Sequence, residues 1–365
     1  TCACLMPLAQ AEGAKVETLE TSEPEMFQRL QDAFLDHGAA QCGICTPGVM
    51  MAAAEWLRVH PHPSEEQVED ALGGVLCRCT GYARIVSAVV SAMDERAPLV
   101  TPEAGSAVGQ PVRRLDGQAK VDGTEIFGAD AGPADALLVR AVRSPHYRAG
   151  FNLGDTAKWA GQHPGVTVLT AADIPGENCY GVIPPLADQP ALAETETRYL
   201  GEAIALIVGD AGVVEPLDLG SFPVAWSPLP HTVTEAEGAA ADAPQVHPTR
   251  AGNVLIEGRV ASGDVAQALE GAAHIANGAF ATSYVEHAYI EPEAGVAWLD
   301  GDTLVIEACT QAPIMDRDDT ARVLGLPPEK VRIIPTAAGG GFGAKLDVTL
   351  QPLIGLAALK TGRPC

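Results

Sequence analysis

Between Pro24 and Gly38 the residues Met26, Phe27, Leu30, Ala33, Phe34 and His37 recur at steps of three and four, which predicts an amphipathic helix. A second helix is expected from Thr46 as N-cap and Pro47 at the first helical position, running to about Val59. Ser64 and Gln67 form a capping-box pattern that opens a third helix toward Leu76. The stretch "YARIVSAVVSAM" reads as a fourth. Residues 22–96 are therefore expected to form a small all-α four-helix domain with cysteines at the helix ends.

Residues 97–118, with Pro98, Pro102 and Pro111 and little periodicity, read as a linker. Beyond it the pattern changes to short β-branched runs, "ALLVRAV", "GVTVLT" and "AIALIVG", broken by Gly and Pro and interleaved with helix-like stretches such as "VAQALEGAAH". The fold class expected for the whole is multidomain α+β, an all-α domain followed by α+β domains. Within the α+β part a division is expected near residues 231–252, where Pro, Ala and Asp dominate. No internal repeat is visible.

At 365 residues and 47% hydrophobic content the chain can supply several domains with cores. No window reaches the roughly 18 uninterrupted apolar residues of a membrane span, and no basic segment with an apolar signal core stands at the N-terminus. A soluble, cytoplasmic protein is the expectation. The formal charge of −24 opposes attraction to phosphate backbones or anionic lipid, so neither nucleic acid nor membrane is expected as a partner. The chain opens on Thr1 and stops at "KTGRPC", and it reads as a fragment of something longer.

Six of the nine cysteines fall within the first 79 residues, which favours metal ligation over a disulfide framework. Cys179, Cys309 and Cys365 are scattered and read as buried small hydrophobes. Cys42 and Cys45 are separated by two residues, and Cys77 and Cys79 by one, so each short loop presents two sulfurs on one side. From spacing alone a structural zinc site, an iron–sulfur cluster and unligated core thiols all stay open.

The flanking residues narrow that choice. "QCGICTPG" followed by "CRCTGY" resembles the second [2Fe–2S] domain of the molybdenum hydroxylases, the family of xanthine dehydrogenases and aldehyde oxidoreductases. The resemblance implies that Cys42, Cys45, Cys77 and Cys79 ligate a [2Fe–2S] cluster, and that Gln41 and Cys79 lie near the pterin of the molybdenum cofactor. "ACLMPL" resembles the end of the family's plant-type ferredoxin domain, which makes Cys4 a ligand of a first cluster whose other ligands lie upstream of Thr1. One cluster of two would then be complete in this chain.

"AAGGGFGAKLD", residues 337–347, follows a strand-like "KVRIIP" and lacks Cβ atoms where backbone N–H groups could approach a ligand. A phosphate loop fails on detail, because Leu346 rather than Ser or Thr follows Lys345 and no glycine precedes it directly. The tract resembles a glycine stretch of the same family's molybdopterin-binding domain, and "TQAP" at 310–313 resembles a segment whose glutamine lies close to molybdenum. Carried over, this implies Gln311 on the molybdenum side, with Phe342 and Gly343 as neighbours of metal and substrate. Ala344 replaces a second glycine. The position of Leu346 is acidic in purine-oxidising members, which favours an aldehyde or another less polar substrate here.

Taken along the chain, the resemblance implies the end of a ferredoxin domain (1–21), a helical [2Fe–2S] domain (22–96), a linker (97–118), a hammerhead-like α/β domain (119–230) and the first part of a molybdopterin-binding domain (231–365). Residues 210–226 are shorter and less helical than the family's corresponding segment. With no flavin domain intervening, the order is most like the single-chain aldehyde oxidoreductase type. That implies hydroxylation of an aldehyde or N-heterocycle with oxygen from water, and electrons leaving through [2Fe–2S] clusters to an external acceptor: a ferredoxin, a flavodoxin or a flavin subunit. A homodimer is compatible with it. The catalytic base is expected downstream of Cys365, so Glu286, Glu291 and Glu293 read as structural or surface carboxylates, and His287 as a buried structural histidine. The alternative from another class is a non-catalytic iron–sulfur electron-transfer module or an inactive fragment.

Overall fold

The structure is a computed structural model describing residues 5–21, 24–95 and 99–365. The first four principal helices are α1 (Pro24–His37), α2 (Thr46–Val59), α3 (Glu65–Ala71) and α4 (Ala83–Val90), with a short α5 (Gly117–Asp122) after the proline-rich stretch. Leu30, Phe34, Met50, Leu57, Leu72 and Ile85 are all fully buried in their shared core, each contributing about 1.5–3 kcal/mol of burial. The capping box forms as the sequence predicts: Gln67 N–H donates to Ser64 Oγ, and Ser64 N–H to Gln67 Oε1. Two details differ. The third helix stops at Ala71, short of Leu76, and α2 takes Cys45 as N-cap, leaving Thr46 buried inside its first turn.

Two compact units emerge from the chain, and they are not sequential: one combines residues 1–136, 175–189 and 287–365, the other 137–174 and 190–286. Residues 231–252, where the sequence suggests a division, lie inside the second unit.

That second unit carries β1 (Leu138–Arg143), β2 (Ala149–Leu153), α6 (Thr156–Gly161), β3 (Thr167–Thr170), β4 (Glu196–Thr197), β5 (Ala203–Gly209), α7 (Ala211–Val214), β6 (Val224–Pro228), α8 (Glu235–Gly238) and α9 (Val265–Glu270). They form two antiparallel sheets, β1-β5-β3 and β4-β2-β6. Every residue of the central β5 is buried, which explains why it reads as a continuous apolar run rather than an alternating one. Residues 210–226 hold α7, a 3-10 turn at Leu219–Ser221 and the start of β6.

The chain then returns to the first unit with β7 (Gly295–Asp300), β8 (Thr303–Ala308), α10 (Pro313–Leu324), β9 (Val331–Pro335) and α11 (Gln351–Thr361). β7 and β8 form a hairpin turned at Gly301, where φ is 62°. β8 and β9 are parallel neighbours with α10 as their crossover. α11 lies close against this layer: a Cβ on Gly355 would stand 2.9 Å from Leu324 Cδ1 and 3.1 Å from Leu304 Cδ2. Ligands of open α/β sheets gather beyond the carboxyl ends of parallel strands. Gln311 lies in the loop after β8 and the glycine tract in the loop after β9.

Candidate functional site: four thiols and a glycine loop

Both cysteine pairs sit where a helix begins, Cys42 and Cys45 at the start of α2, Cys77 and Cys79 just before α4. Unpaired N–H groups and the helix dipole make such ends favourable for negative sulfur. The pairs are crossed: Cys45 bonds through its side chain to Cys77, and Cys79 to Cys42. Each couple thus takes one sulfur from each loop. Hydrogen bonding from Cys45 holds the Cys77 thiol down at about 5, with Thr80 assisting, while the same bond pushes Cys45 upward. Burial, with the Cys42 thiol beside it, pushes Cys79 up to about 12.

The residues between and after these cysteines have local reasons to be there. Tyr82 Oη accepts from Cys77 N–H at 2.8 Å and donates to Val75 O at 3.0 Å, folding the ring back over the loop. Thr80 Oγ1 lies 3.2 Å from Cys77 Sγ and accepts from Tyr82 N–H. Gly81 and Tyr82 are both left-handed, with φ of 59° and 64°. On the first loop, Gly43 has φ of 97°, and a Cβ there would come within 2.7 Å of Lys120 Cγ. Lys120, only 6% exposed, is paired with Asp116 and Glu125. Arg114 donates to the carbonyls of Ala40 and Gln41 and grips Asp116 as well, so residues 114–120 clamp the loop that carries Cys42.

The glycine tract is organised by a buried ion pair. Lys345 Nζ meets Glu291 Oε2 at 2.7 Å, both side chains almost wholly out of solvent. The same carboxylate accepts from Gly339 N–H at 2.6 Å and Gly128 N–H at 2.9 Å, and the ammonium sits 4.7 Å from the centre of the Tyr289 ring. Gln311 Oε1 accepts from Gly343 N–H at 3.0 Å and Lys345 N–H at 3.3 Å. A Cβ on Gly341 would lie 2.3 Å from that oxygen, so only glycine admits the amide there. With its oxygen engaged, the amide presents its NH2, which has no partner among the described residues, as a donor. Phe342 is 43% exposed at φ 56°, and Gly343 has φ 102°. Ala344 is not among the left-handed residues, which is why a glycine is dispensable there.

The structure thus brings the four thiols together, and separately Gln311, Gly343 and Lys345. Gln41 is exposed on its loop, its carbonyl held by Arg114. Cys4 lies outside the described residues. Glu291 is structural, as expected, Glu286 is exposed, and Glu293 accepts from Tyr289 Oη. His287 is a correction: it is exposed rather than buried, because it lies in a stretch without helix or strand whose residues 281–288 are all exposed. Cys179 is another, half-buried where Cys309 and Cys365 are buried. Arg114, Lys120 and Arg78 carry no signal of their own in the sequence, and the Glu291–Lys345 pairing carries none either. Only Asp116 and Lys120, four apart, left a trace there, as a helical ion-pair spacing.

The donor set fits a two-iron cluster. Four cysteine side chains from two loops, with Cys45 beside Cys77 and Cys42 beside Cys79, are the all-thiolate donor set that a [2Fe–2S] cluster takes. The amide donor and the side-chain-free backbone beside it fit an anionic, oxo-bearing group. Residues 15–90 match the [2Fe-2S] binding domain family and residues 246–365 the molybdopterin cofactor-binding domain family. The chain is 31% identical over 387 residues to an aldehyde oxidoreductase of Megalodesulfovibrio gigas, covering 99% of this chain and 42% of that protein. The chain belongs to the molybdenum hydroxylase family. Among solved structures of this family, aldehyde oxidoreductase from Desulfovibrio gigas superposes with a TM-score of 0.89 at 30% identity, over 99% of this chain and 42% of that one. The aldehyde oxidoreductase from Desulfovibrio desulfuricans gives 0.85 at 29%, over 100% and 43%. The molybdenum hydroxylase chain described here therefore spans about two fifths of the length of these aldehyde oxidoreductases.

Proposed function

We propose that the chain is the electron-relaying and molybdenum-side portion of a hydroxylase that oxidises an aldehyde with oxygen from water and passes the electrons out through [2Fe–2S] clusters to an external acceptor. The observation that carries this reading is the crossed pairing of thiols, Cys42 with Cys79 and Cys45 with Cys77, at two helix starts. Those four would ligate the cluster, with Gln41 and Cys79 bordering the pterin and Gln311, Phe342 and Gly343 facing the molybdenum. Cys4 would serve the first cluster.

When bound, the molybdenum cofactor supplies the redox chemistry and the cluster the route by which electrons leave. What the chain's own residues supply is orientation. Gln311 offers its amide N–H groups where an oxo ligand or substrate oxygen would stand, preorganised by the two backbone bonds on its oxygen. Phe342 presents an exposed ring to a flat or apolar substrate. Leu346, 38% exposed beside it in sequence, offers nothing to hydrogen-bond a purine, which supports an aldehyde. Glu291 is unsuited to be a base, since Lys345, Gly339 and Gly128 occupy its oxygens.

Metal analysis of the full-length gene product tests the reading. Molybdenum together with iron and a red-brown colour are expected. Iron without molybdenum under molybdenum-replete expression would leave the electron-transfer module, and colourless protein holding zinc would end both.

A further inference from the structure

One side chain joins the second cysteine loop to the segment beneath the glycine tract. Arg78 stands between Cys77 and Cys79, and its Nε–H donates to the carbonyl oxygen of His287 at 3.1 Å. A guanidinium on a carbonyl makes a charge-assisted bond, stronger than a neutral one. The acceptor is presented by unusual backbone: Ala288 has φ of 53°, a left-handed conformation that alanine rarely adopts. That angle orients the peptide plane carrying the His287 oxygen. Such conformations persist where their surroundings over-determine them, and they gather at functional positions.

The contacts continue beyond His287. A Cβ on Gly343 would stand 3.8 Å from His287 Nε2, so the ring borders the tract. Tyr289 underlies the Lys345 ammonium, and Glu291 ties Gly339 to Lys345, the two ends of the tract. An unbroken run of neighbours therefore leads from Cys77 and Cys79, through Arg78 and residues 287–291, to the loop that bears Phe342 and Gly343.

We propose that Arg78 is a positioning residue that fixes the spacing and orientation of the cysteine pair Cys77 and Cys79 relative to the glycine tract, through its bond to the strained His287–Ala288 peptide. The proposal rests on the function proposed above, because the spacing matters when the two loops hold an iron–sulfur cluster and molybdopterin.

The test uses the intact protein loaded with iron and molybdenum and reads the splitting of the Mo(V) resonance by the reduced cluster, a magnetic coupling sensitive to distance and orientation. Arg78→Gln is expected to broaden or abolish the splitting, since losing the charge-assisted bond lowers the ratio of docked to displaced loop by about tenfold. Arg78→Lys, which keeps the charge and a donor, should retain most of it. Ala288→Pro forces φ negative and turns the His287 oxygen away with Arg78 untouched, so it should also lose the splitting, and it decides the matter if Arg78→Gln fails to assemble its cluster. In the metal-free chain, hydrogen exchange at residues 286–290 should quicken about tenfold in Arg78→Gln, by the same loss of one bond. Wild-type splitting in Arg78→Gln or Ala288→Pro overturns the proposal, as does a changed cluster potential with the splitting intact, which would make Arg78 a charge and not a strut. Wild-type protein that takes up iron but no molybdenum overturns the proposed function, and this proposal with it.

Discussion

Glu291 and Lys345 show how much one buried pair can organise, and how little of it a sequence reveals. A lysine after glycines suggests phosphate, and a glutamate near a histidine suggests a base; in the structure each is the other's partner. Removing one member strands a buried charge, so Lys345→Met should destabilise the protein by about 3–5 kcal/mol in chemical denaturation. Asp316 carries a pH dependence of its own. It is fully buried on α10, takes a hydrogen bond from Gln351 with Thr310 also beside it, and burial raises its pKa to about 6 from an ordinary value of 3.8. A raised carboxyl favours the protonated folded state, so Asp316 should make the protein lose stability as pH rises from about 4 to 6, by up to ~3 kcal/mol. Asp316→Asn should flatten that part of the stability profile. Leu346 is the residue on which substrate choice should turn: Leu346→Glu is expected to lower kcat/KM for aldehydes about tenfold or more and to raise it for purines.

At the level of elements, the helices were legible because their apolar periodicity and the Ser64–Gln67 box act locally, and the strands of the second unit because β-branched runs announce them. The helix starts beside the cysteines were legible only approximately, since Thr46 is drawn into the core and Tyr82 enters α4 from a left-handed turn that no periodicity encodes. The four thiols were legible as a set, but their crossed pairing depends on how α1 and α3, each packed on both α2 and α4, bring the two loops together. The same holds for the adjacency of Gln311 and Gly343, which follows from β8 and β9 lying parallel and side by side. Gly43→Ala should expose this dependence: it places a Cβ against Lys120 at a positive φ, and the purified protein should hold markedly less iron than wild type while keeping its helical circular dichroism.

On the scale of the whole molecule, the first unit is assembled from three stretches of chain, with the second unit formed mainly by the residues between them. Yet the core around α1 to α4, among the described residues, draws on residues between Leu19 and Val121. A chain ending at Glu286 should therefore still bind iron with the visible absorption of the [2Fe–2S] domain, measured after reconstitution, while losing the Glu291–Lys345 anchor and any capacity for molybdopterin. Among the described residues no helix is long and apolar enough to cross a membrane.

The clamp formed by Arg114, Asp116 and Lys120 bears on anyone who would transplant this electron-carrying part into another enzyme. The stretch that reads as a passive tether ends by gripping the Cys42 loop, so the part that travels as one piece is longer than its helices. A graft cut after Glu95 would carry all four thiols and leave behind the cations that shape half of their cradle, whereas one cut beyond Glu125 would take the shaping residues along.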